Sequence, residues 1–378
     1  MPITSAIGLM SGTSMDGVDV ALIETDGEAE IRFGPEGFEP YDDSDRALLR
    51  AALAEASDLD DRTARPGVLA RVEQMVTDRH AEAVEAFLTR HGIARSSIDL
   101  VGFHGQTVLH RPKRRLTMQI GDGQALAVRL GLPVVYDFRA ADIAAGGEGA
   151  PIAPVYHRAL VAAVRMTGPV ALLNIGGVAN VTFITATAND PIACDTGPGN
   201  ALIDDLMLAR TGRPIDRDGA AASAGRCDEA ALAVLLDHPY FDLPPPKSLD
   251  RNAFSCASVA HLSTADAAAT LTAFTAASVG RLLPQLPQQP RLLVVCGGGA
   301  RNPALMGELA RRMPCTVTTA TDCGWSADAM EAQAFAYLAV RAAAGLPLTF
   351  PTTTGVTRAL TGGVIARAAA PEAANQAR

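Results

Sequence analysis

Lysine is almost missing from this 378-residue chain: only Lys113 and Lys247 occur, each directly after a proline. That excludes a Walker-type Gly-Lys-Ser/Thr phosphate loop, so any nucleotide must be held another way. Cysteine is sparse as well, with six scattered residues (Cys194, Cys227, Cys256, Cys296, Cys315 and Cys323) and no Cys-x-x-Cys pair. No histidine or cysteine cluster has zinc-ligand spacing. Cysteines spread in this way read as small core residues in a reducing compartment. No apolar run approaches membrane-spanning length, and the N-terminus lacks a basic leader. The expectation is therefore a cytoplasmic protein without a membrane partner. Positive charge is in deficit too, for a net charge of −9. That disfavours a nucleic-acid backbone as partner. It leaves a nucleotide open, because backbone amides and a metal can hold phosphate.

Apolar residues, in contrast, are plentiful, at 48% against 19% charged. At roughly 150 residues per domain, the length predicts about two domains with cores of their own. The first informative stretch is 7–20. Apolar residues run from Ile7 into Ser11-Gly12-Thr13-Ser14, then Asp16-Gly17, then a return in which Val18, Val20 and Leu22 alternate with Asp19 and Glu24. This predicts a strand, a tight turn and a returning strand. The hydroxyls of Ser11, Thr13 and Ser14, with the turn's amides, make a donor cluster suited to phosphate oxygens. An ordinary Asp-Gly hairpin turn is the competing reading. Recurrence of strand–glycine–strand units downstream favours the first.

Helical periodicity covers 45–56 and 68–91, with Gly92 as a stop. A strand over 99–103 leads into His104-Gly105-Gln106-Thr107, a polar cluster at a strand end, where α/β folds place site residues. A hydrogen-bonded structural histidine is the alternative for His104. A helix is expected over 125–130. A further strand, 133–139, ends in Asp137 and Arg139 beside the glycine-rich 144–151. Arg139 there suits a carboxylate or sugar hydroxyls, and a salt bridge to Asp137 is the alternative.

The pattern then begins again. A strand (170–175), a turn at Gly176-Gly177 and a returning strand (178–185) echo the first hairpin. Next, 192–195 runs as a strand into Thr196-Gly197-Pro198-Gly199-Asn200 and a helix over 201–210. Asp195 is thus expected between a strand end and a helix N-terminus, a place that favours anions. Metal contact, general base and helix cap are the roles open to it. The proline run 244–246 with Lys247 reads as an ordered loop. After a helix at 264–283, the strand 291–296 ends in Gly297-Gly298-Gly299, where a flat ring can lie against backbone. Helices follow at 303–313 and 327–344, the latter carrying Glu331, and 368–378 reads as a frayed tail.

Taken together, these motifs resemble the anhydro-N-acetylmuramic acid kinases of the acetate and sugar kinase/Hsp70/actin superfamily. The matching stretches are 8–17 (Gly-Leu-Met-Ser-Gly-Thr-Ser-Met-Asp-Gly), 103–107 (Phe-His-Gly-Gln-Thr) and 119–123 (Gln-Ile-Gly-Asp-Gly). So are 137–139 (Asp-Phe-Arg), 146–151 (Gly-Gly-Glu-Gly-Ala-Pro) and 174–177 (Asn-Ile-Gly-Gly). The last two are 195–200 (Asp-Thr-Gly-Pro-Gly-Asn) and 296–302 (Cys-Gly-Gly-Gly-Ala-Arg-Asn). They occur in family order and cover nearly the whole chain.

The resemblance implies an α/β, two-domain actin-like ATPase fold with an interdomain cleft. Its domains would be 1–150, with the tail 365–378 as an optional addition, and 151–364. It implies ATP and Mg²⁺. Gly12, Thr13, Ser14, Met15, Asp16, Gly17, Val18 and Asp19 would hold the triphosphate. Gly176 and Gly177 would also face the nucleotide, and Gly297, Gly298 and Gly299 would flank the adenosine. Asp16 or Asp19 would position the metal through water. Asp195 matches the family's base and Glu331 a second carboxylate, while His104, Arg139 and Gly149 are the candidate sugar contacts. A homodimer is expected by the same likeness. Three other readings stay open: a kinase for another anhydrosugar such as levoglucosan, an actin- or Hsp70-like ATPase, and a glycosidase using Asp195 and Glu331.

Overall fold

The computed structural model describes residues 1–368 except 13, 165, 167 and 186–189. Thr13, and the tail expected to fray beyond residue 368, lie outside the described residues. In chain order the main elements are β1 (Thr4–Ser11), β2 (Gly17–Thr25), β3 (Ile31–Pro40), α1 (Asp43–Ala56), α2 (Leu69–His91), β4 (Leu100–Arg111) and β5 (Leu116–Ile120). Then come α3 (Gly123–Leu130), β6 (Val134–Tyr136), α4 (Ala140–Ala144), α5 (Pro154–Ala163), β7 (Val170–Ile175), β8 (Val178–Ile184) and β9 (Ile192–Pro198). They continue with α6 (Ala201–Thr211), α7 (Ala220–Ala224), α8 (Glu229–Leu236), α9 (Thr264–Leu282), β10 (Leu292–Cys296), α10 (Pro303–Arg312) and β11 (Thr316–Thr319). Last are α11 (Met330–Ala343), α12 (Pro351–Thr354) and β12 (Val364–Ala366).

Local chemistry accounts for several boundaries. Asp42 and Asp45 form a reciprocal capping box at the start of α1. Gly92 ends α2 in the left-handed conformation, with φ 62°. Among the described residues no helix is long and apolar enough to cross a membrane.

The chain divides into two compact units, Met1–Ala163 with Asp328–Arg378, and Val164–Ala327. These bounds differ from the expected 1–150 and 151–364, because 151–163 and 328–364 belong to the first unit. The reason is close packing of α11 on the first sheet. A Cβ on Gly8 of β1 would collide with the Ala332 carbonyl, and one on Gly102 of β4 with the Phe335 carbonyl. Glycine in the strands, with Ala332, Ala336 and Ala339 on the helix, lets the backbones touch. Polar ties lock the contact. The Tyr156 hydroxyl donates to Gln333 Oε1 (2.8 Å), Tyr337 to the Glu28 carbonyl (2.8 Å), and Arg341 Nη1 to the Gly27 carbonyl (2.7 Å).

In the first unit the sheet order is β12-β6-β4-β1-β2-β3, with β5 on β4. Strands β1, β4 and β6 are mutually parallel, and β2 and β3 return antiparallel. The core packs the sheet's Ile7, Leu9, Val20, Val101 and Phe103 with Leu49, Val72, Val76, Val84, Phe87 and Leu126 from α1, α2 and α3. In the second unit the order is β11-β10-β7-β8-β9. There β7, β10 and β11 are parallel, and β8 and β9 antiparallel. Its core joins Leu173, Ile175, Val181 and Val295 to Val279, Leu282, Leu305 and Leu309 from α9 and α10. The two units therefore repeat one topology: three antiparallel strands, then two added parallel to the first.

Three local expectations are corrected. His104 to Thr107 do not follow a strand end; they lie inside β4, which continues to Arg111 because β5 pairs with it antiparallel from Gln106↔Ile120 to Arg111↔Leu116. Asp195 sits within β9, which stays paired to β8 as far as Val178↔Pro198. It is therefore five residues short of the α6 N-cap, Asn200, and has no helix N-terminus beside it in sequence. Arg139 lies beyond β6 and is the residue preceding α4.

Candidate functional site

In the first unit, the β1–β2 turn is closed by its own groups. Met15, at φ 55°, donates its N–H to the Gly12 carbonyl (3.1 Å). Ser14 Oγ donates to Asp16 Oδ1 (2.7 Å), and the Asp16 carbonyl accepts from the Tyr41 N–H (2.9 Å). Of the two glycines, Gly17 is dictated by packing, since a Cβ there would meet the Phe38 ring at 2.6 Å. Gly12 is not, because its nearest neighbour would be Ser14 Oγ at 3.5 Å. Val18 is buried and belongs to the core.

Asp19 is half-buried on β2 among other carboxylates. Burial, then the charges of Asp16, Glu331, Asp328 and Glu36, push its pKa up to about 7. No group of three or more His, Cys, Asp or Glu that could hold a metal occurs among the described residues. The carboxylates of Asp16 and Asp19 are oxygen donors of the kind that suits a hard divalent ion.

The three candidate sugar contacts meet one another. Arg139 directs Nε (3.3 Å) and Nη2 (3.2 Å) at His104 Nε2, and Nη1 at the Gly149 carbonyl (2.8 Å). His104 Nδ1 lies 2.8 Å from the Gly105 carbonyl, so Nδ1 carries the proton and Nε2 accepts. Burial and the neighbouring Arg139 hold the His104 pKa well below its usual value, keeping it neutral. Both ring nitrogens are engaged, and His104 thereby orients Arg139. Burial lowers the guanidinium to about 10, still charged at neutral pH. Asp137 pairs with Arg62 instead (2.5 Å). Gly149, at φ 66°, donates its N–H to Asp142 Oδ1 (2.6 Å), whose other oxygen accepts from Thr354 Oγ1 (2.6 Å).

Glu331 stands in the first turn of α11. Burial raises its pKa and Arg139 opposes the rise. Its side chain nevertheless reaches solvent. The shift reflects dense protein around an accessible carboxyl group, and that accessibility is what ligand contact needs.

In the second unit, the loop after α8 lies along β9 and fixes Asp195. The Asp195 N–H donates to the Lys247 carbonyl (2.9 Å), its carbonyl accepts from the Tyr240 hydroxyl (2.7 Å), and Oδ2 accepts from the Leu249 N–H (2.8 Å). Lys247 Nζ sits 4.6 Å from the Tyr240 ring centroid and donates to the Tyr240 carbonyl (3.1 Å). The proline-rich loop is thus the support of a carboxylate.

The glycine turns of this unit meet at the C-terminal ends of β7 and β10. Gly176 and Gly177 accept backbone bonds from Asn200 (2.8 Å) and Gly199 (2.9 Å). Gly297, at φ 76°, and Gly299 are required by packing, since a Cβ on either would strike Ile175. Gly176, Gly177 and Gly298 have nothing closer than 3.7 Å and leave backbone open to a flat or anionic ligand.

Sequence reasoning missed the ties behind the first turn. Gln106 and Tyr41 hold Ser11 and Gly12 from below, and Gln106 is visible in sequence only as a motif member without a role. It also missed Asp328, whose charge bears on Asp19.

Two α/β units that share one five-strand order, each opening with a glycine turn between its first two strands, define the acetate and sugar kinase/Hsp70/actin class of folds. Residues 4–368 match the family model described as anhydro-N-acetylmuramic acid kinase, and the chain belongs to that family. Curated relatives carry the same name. One from Nitrobacter winogradskyi is 58% identical over 96% of this chain and 99% of its own. One from Rhodopseudomonas palustris (strain BisB18) is 57% identical over 96% and 100%, and one from Methylobacterium nodulans 58% over 96% and 99%. Among solved structures, a ROK family glucokinase from Streptomyces griseus is similar with a TM-score of 0.42 at 14% identity, covering 89% of this chain and 99% of that one.

Proposed function

We propose that this chain is an ATP-dependent anhydrosugar kinase acting on 1,6-anhydro-N-acetylmuramic acid. It opens the 1,6-anhydro ring with water and phosphorylates O6, giving N-acetylmuramic acid 6-phosphate in cell-wall recycling. The observation that carries this reading is identity of 57–58% with relatives of that name along nearly the full length.

The residues suit the chemistry. A water oxygen bonds to the anomeric carbon and loses a proton, the C1–O6 bond breaks, and O6 accepts the γ-phosphoryl group as ADP leaves. A general base is needed for the water. Asp195 takes that role, its carboxylate aimed by the Leu249 N–H and its backbone fixed on both sides. Glu331, accessible and less acidic than usual, is the second carboxylate at the sugar. Arg139 contacts the sugar with the N–H groups it does not direct at His104 and Gly149.

The turn 12–19 holds the triphosphate: Gly12 leaves open backbone, Ser14 and Asp16 line it, and Thr13 and Met15 are assigned to it by family likeness. Gly17 and Val18 keep the turn's shape. Gly176, Gly177 and Gly298 offer open backbone for the nucleotide, while Gly297 and Gly299 shape their loop. Asp16 and Asp19 would hold Mg²⁺. When bound, that ion neutralises phosphate charge, the main requirement of phosphoryl transfer. A cytoplasmic homodimer completes the reading.

The test is mass spectrometry of the product formed from 1,6-anhydro-N-acetylmuramic acid, ATP and Mg²⁺ in ¹⁸O-labelled water. Heavy oxygen at C1 with phosphate at O6 is expected. An intact anhydro bridge would reduce the enzyme to a simple kinase and remove the role of Asp195. Turnover of levoglucosan in preference would move the substrate to a sugar without the lactyl carboxylate.

A further inference from the structure

Gln106 is buried, stands opposite Ser11 across a register shift between β1 and β4, and directly follows Gly105. Gly105 has φ 72°, and a Cβ there would press on the Ile120 carbonyl at 2.7 Å, so the strand bulges at this point. The bulge sets up a relay. Gln106 Nε2 donates to the Gly12 carbonyl (3.0 Å), and Gln106 Oε1 accepts from Ser11 Oγ (2.5 Å). Ser11 Oγ lies 3.0 Å from the Tyr41 hydroxyl, which must therefore be its donor. A carbonyl can only accept, so Gly12 fixes which end of the amide carries nitrogen. The relay is dry: Ser11 and Gln106 are each 1% exposed and Tyr41 2%.

We propose that Gln106 is a positioning residue for phosphate. Held by Ser11 and Tyr41, it pins the Gly12 carbonyl and so presets the turn that receives the triphosphate. The assignment rests on the reading of 12–19 as the triphosphate turn. Gly12 alone among the turn's described glycines has open space, so it needs an anchor from outside the turn. Buried polar groups in a closed network hold a geometry more firmly than the same groups in water.

The experiment compares KM for ATP and for the anhydrosugar, with kcat, in Gln106→Leu, Gln106→Glu and the wild-type full chain from pH 6 to 8.5. Gln106→Leu removes both bonds and is expected to raise KM for ATP about tenfold, with KM for the sugar within about twofold. Gln106→Glu is sharper. Ionised, it faces the Gly12 carbonyl with a second acceptor; protonated, it restores a donor. Burial raises the pKa of such a carboxyl group. Its KM for ATP, taken as a ratio to wild type at each pH, should fall as pH falls, whereas the Gln106→Leu ratio should stay flat. A purely structural role would not give that slope.

If Gln106→Leu does not fold, the Gln106→Glu slope decides. If neither folds, Tyr41→Phe decides, with an expected rise of about twofold in KM for ATP alone. Gly12→Val is the control. If it raises KM for ATP while the deciding variant leaves that constant unchanged, Gln106 has no positioning role and the triphosphate reading survives. If Gly12→Val leaves KM for ATP unchanged, the triphosphate reading itself fails, and the proposal with it.

Discussion

The two units share a strand order, yet they hold their glycine turns in different ways. In the first, buried side chains do it: Gln106 and Ser11, backed by Tyr41, reach the turn from neighbouring segments. In the second, backbone does it: the N–H groups of Gly199, Asn200 and Ala201, leading into α6, bond to the Gly176 and Gly177 carbonyls. Charge differs likewise. The first turn lies among Asp16, Asp19, Asp328 and Glu331, while the second is flanked by amides and apolar Ile175. One topology thus yields a turn set among carboxylates in one unit and a turn lined by open backbone in the other. Topology supplies the place, and side chains supply the chemistry.

The largest expected effect sharpens this division. Asp195→Asn should lower kcat by about 10²–10⁴, the usual range for a lost general base. ATP affinity, read by calorimetry, should hold within about threefold. A collapse of nucleotide affinity would make Asp195 a metal or structural residue instead.

The glycines separate next. Gly297→Ala puts a side chain at positive φ and 2.9 Å from the Ile175 carbonyl, and should cost about 1–3 kcal/mol in urea unfolding. Gly176→Ala has open space, so its stability should stay within about 1 kcal/mol while KM for ATP rises. Equal stability losses would erase the distinction between packed and open glycines.

Asp19→Asn tests the charge surplus. The wild-type pKa of about 7 lies above the unfolded value. The folded state therefore binds more protons between about pH 4 and 7, and stability falls as pH rises through that window. Without Mg²⁺, Asp19→Asn should melt higher than wild type at pH 8, with the difference shrinking towards pH 5. Added Mg²⁺ and nucleotide should narrow the gap by stabilising wild type more.

The smallest effect concerns His104. His104→Gln keeps an acceptor for Arg139 and should hold kcat within about fivefold, whereas His104→Ala should lower it by about tenfold or more. A direct sugar contact at His104 would make the two variants equally poor.

Sequence carried most of the fold. Periodicity located α1, α2, α9 and α10, and the strand–glycine–strand pattern found both turns. It missed β3, whose Gly34, Pro35 and Gly37 weaken the strand signal and whose residues are mostly exposed, so little alternation marks it. It stopped β4 at Phe103 because His104-Gly105 reads as a turn, although pairing with β5 keeps the strand going. Asp195 was legible as a residue of consequence, but its setting was not, since Tyr240, Lys247 and Leu249, which fix its backbone and aim its carboxylate, lie about fifty residues away.

What the sequence determined by itself was the class of chemistry: the missing Lys-type phosphate loop, the order of glycine motifs, and the carboxylates and arginine among them. These are local properties, fixed by residue type and spacing. Tertiary structure alone decided that α11 packs on the first sheet, that His104 serves Arg139, which glycines are open, and that Gln106 braces Gly12. Each of those depends on atoms brought within 4 Å from distant segments, and spacing along a chain carries no record of such contacts.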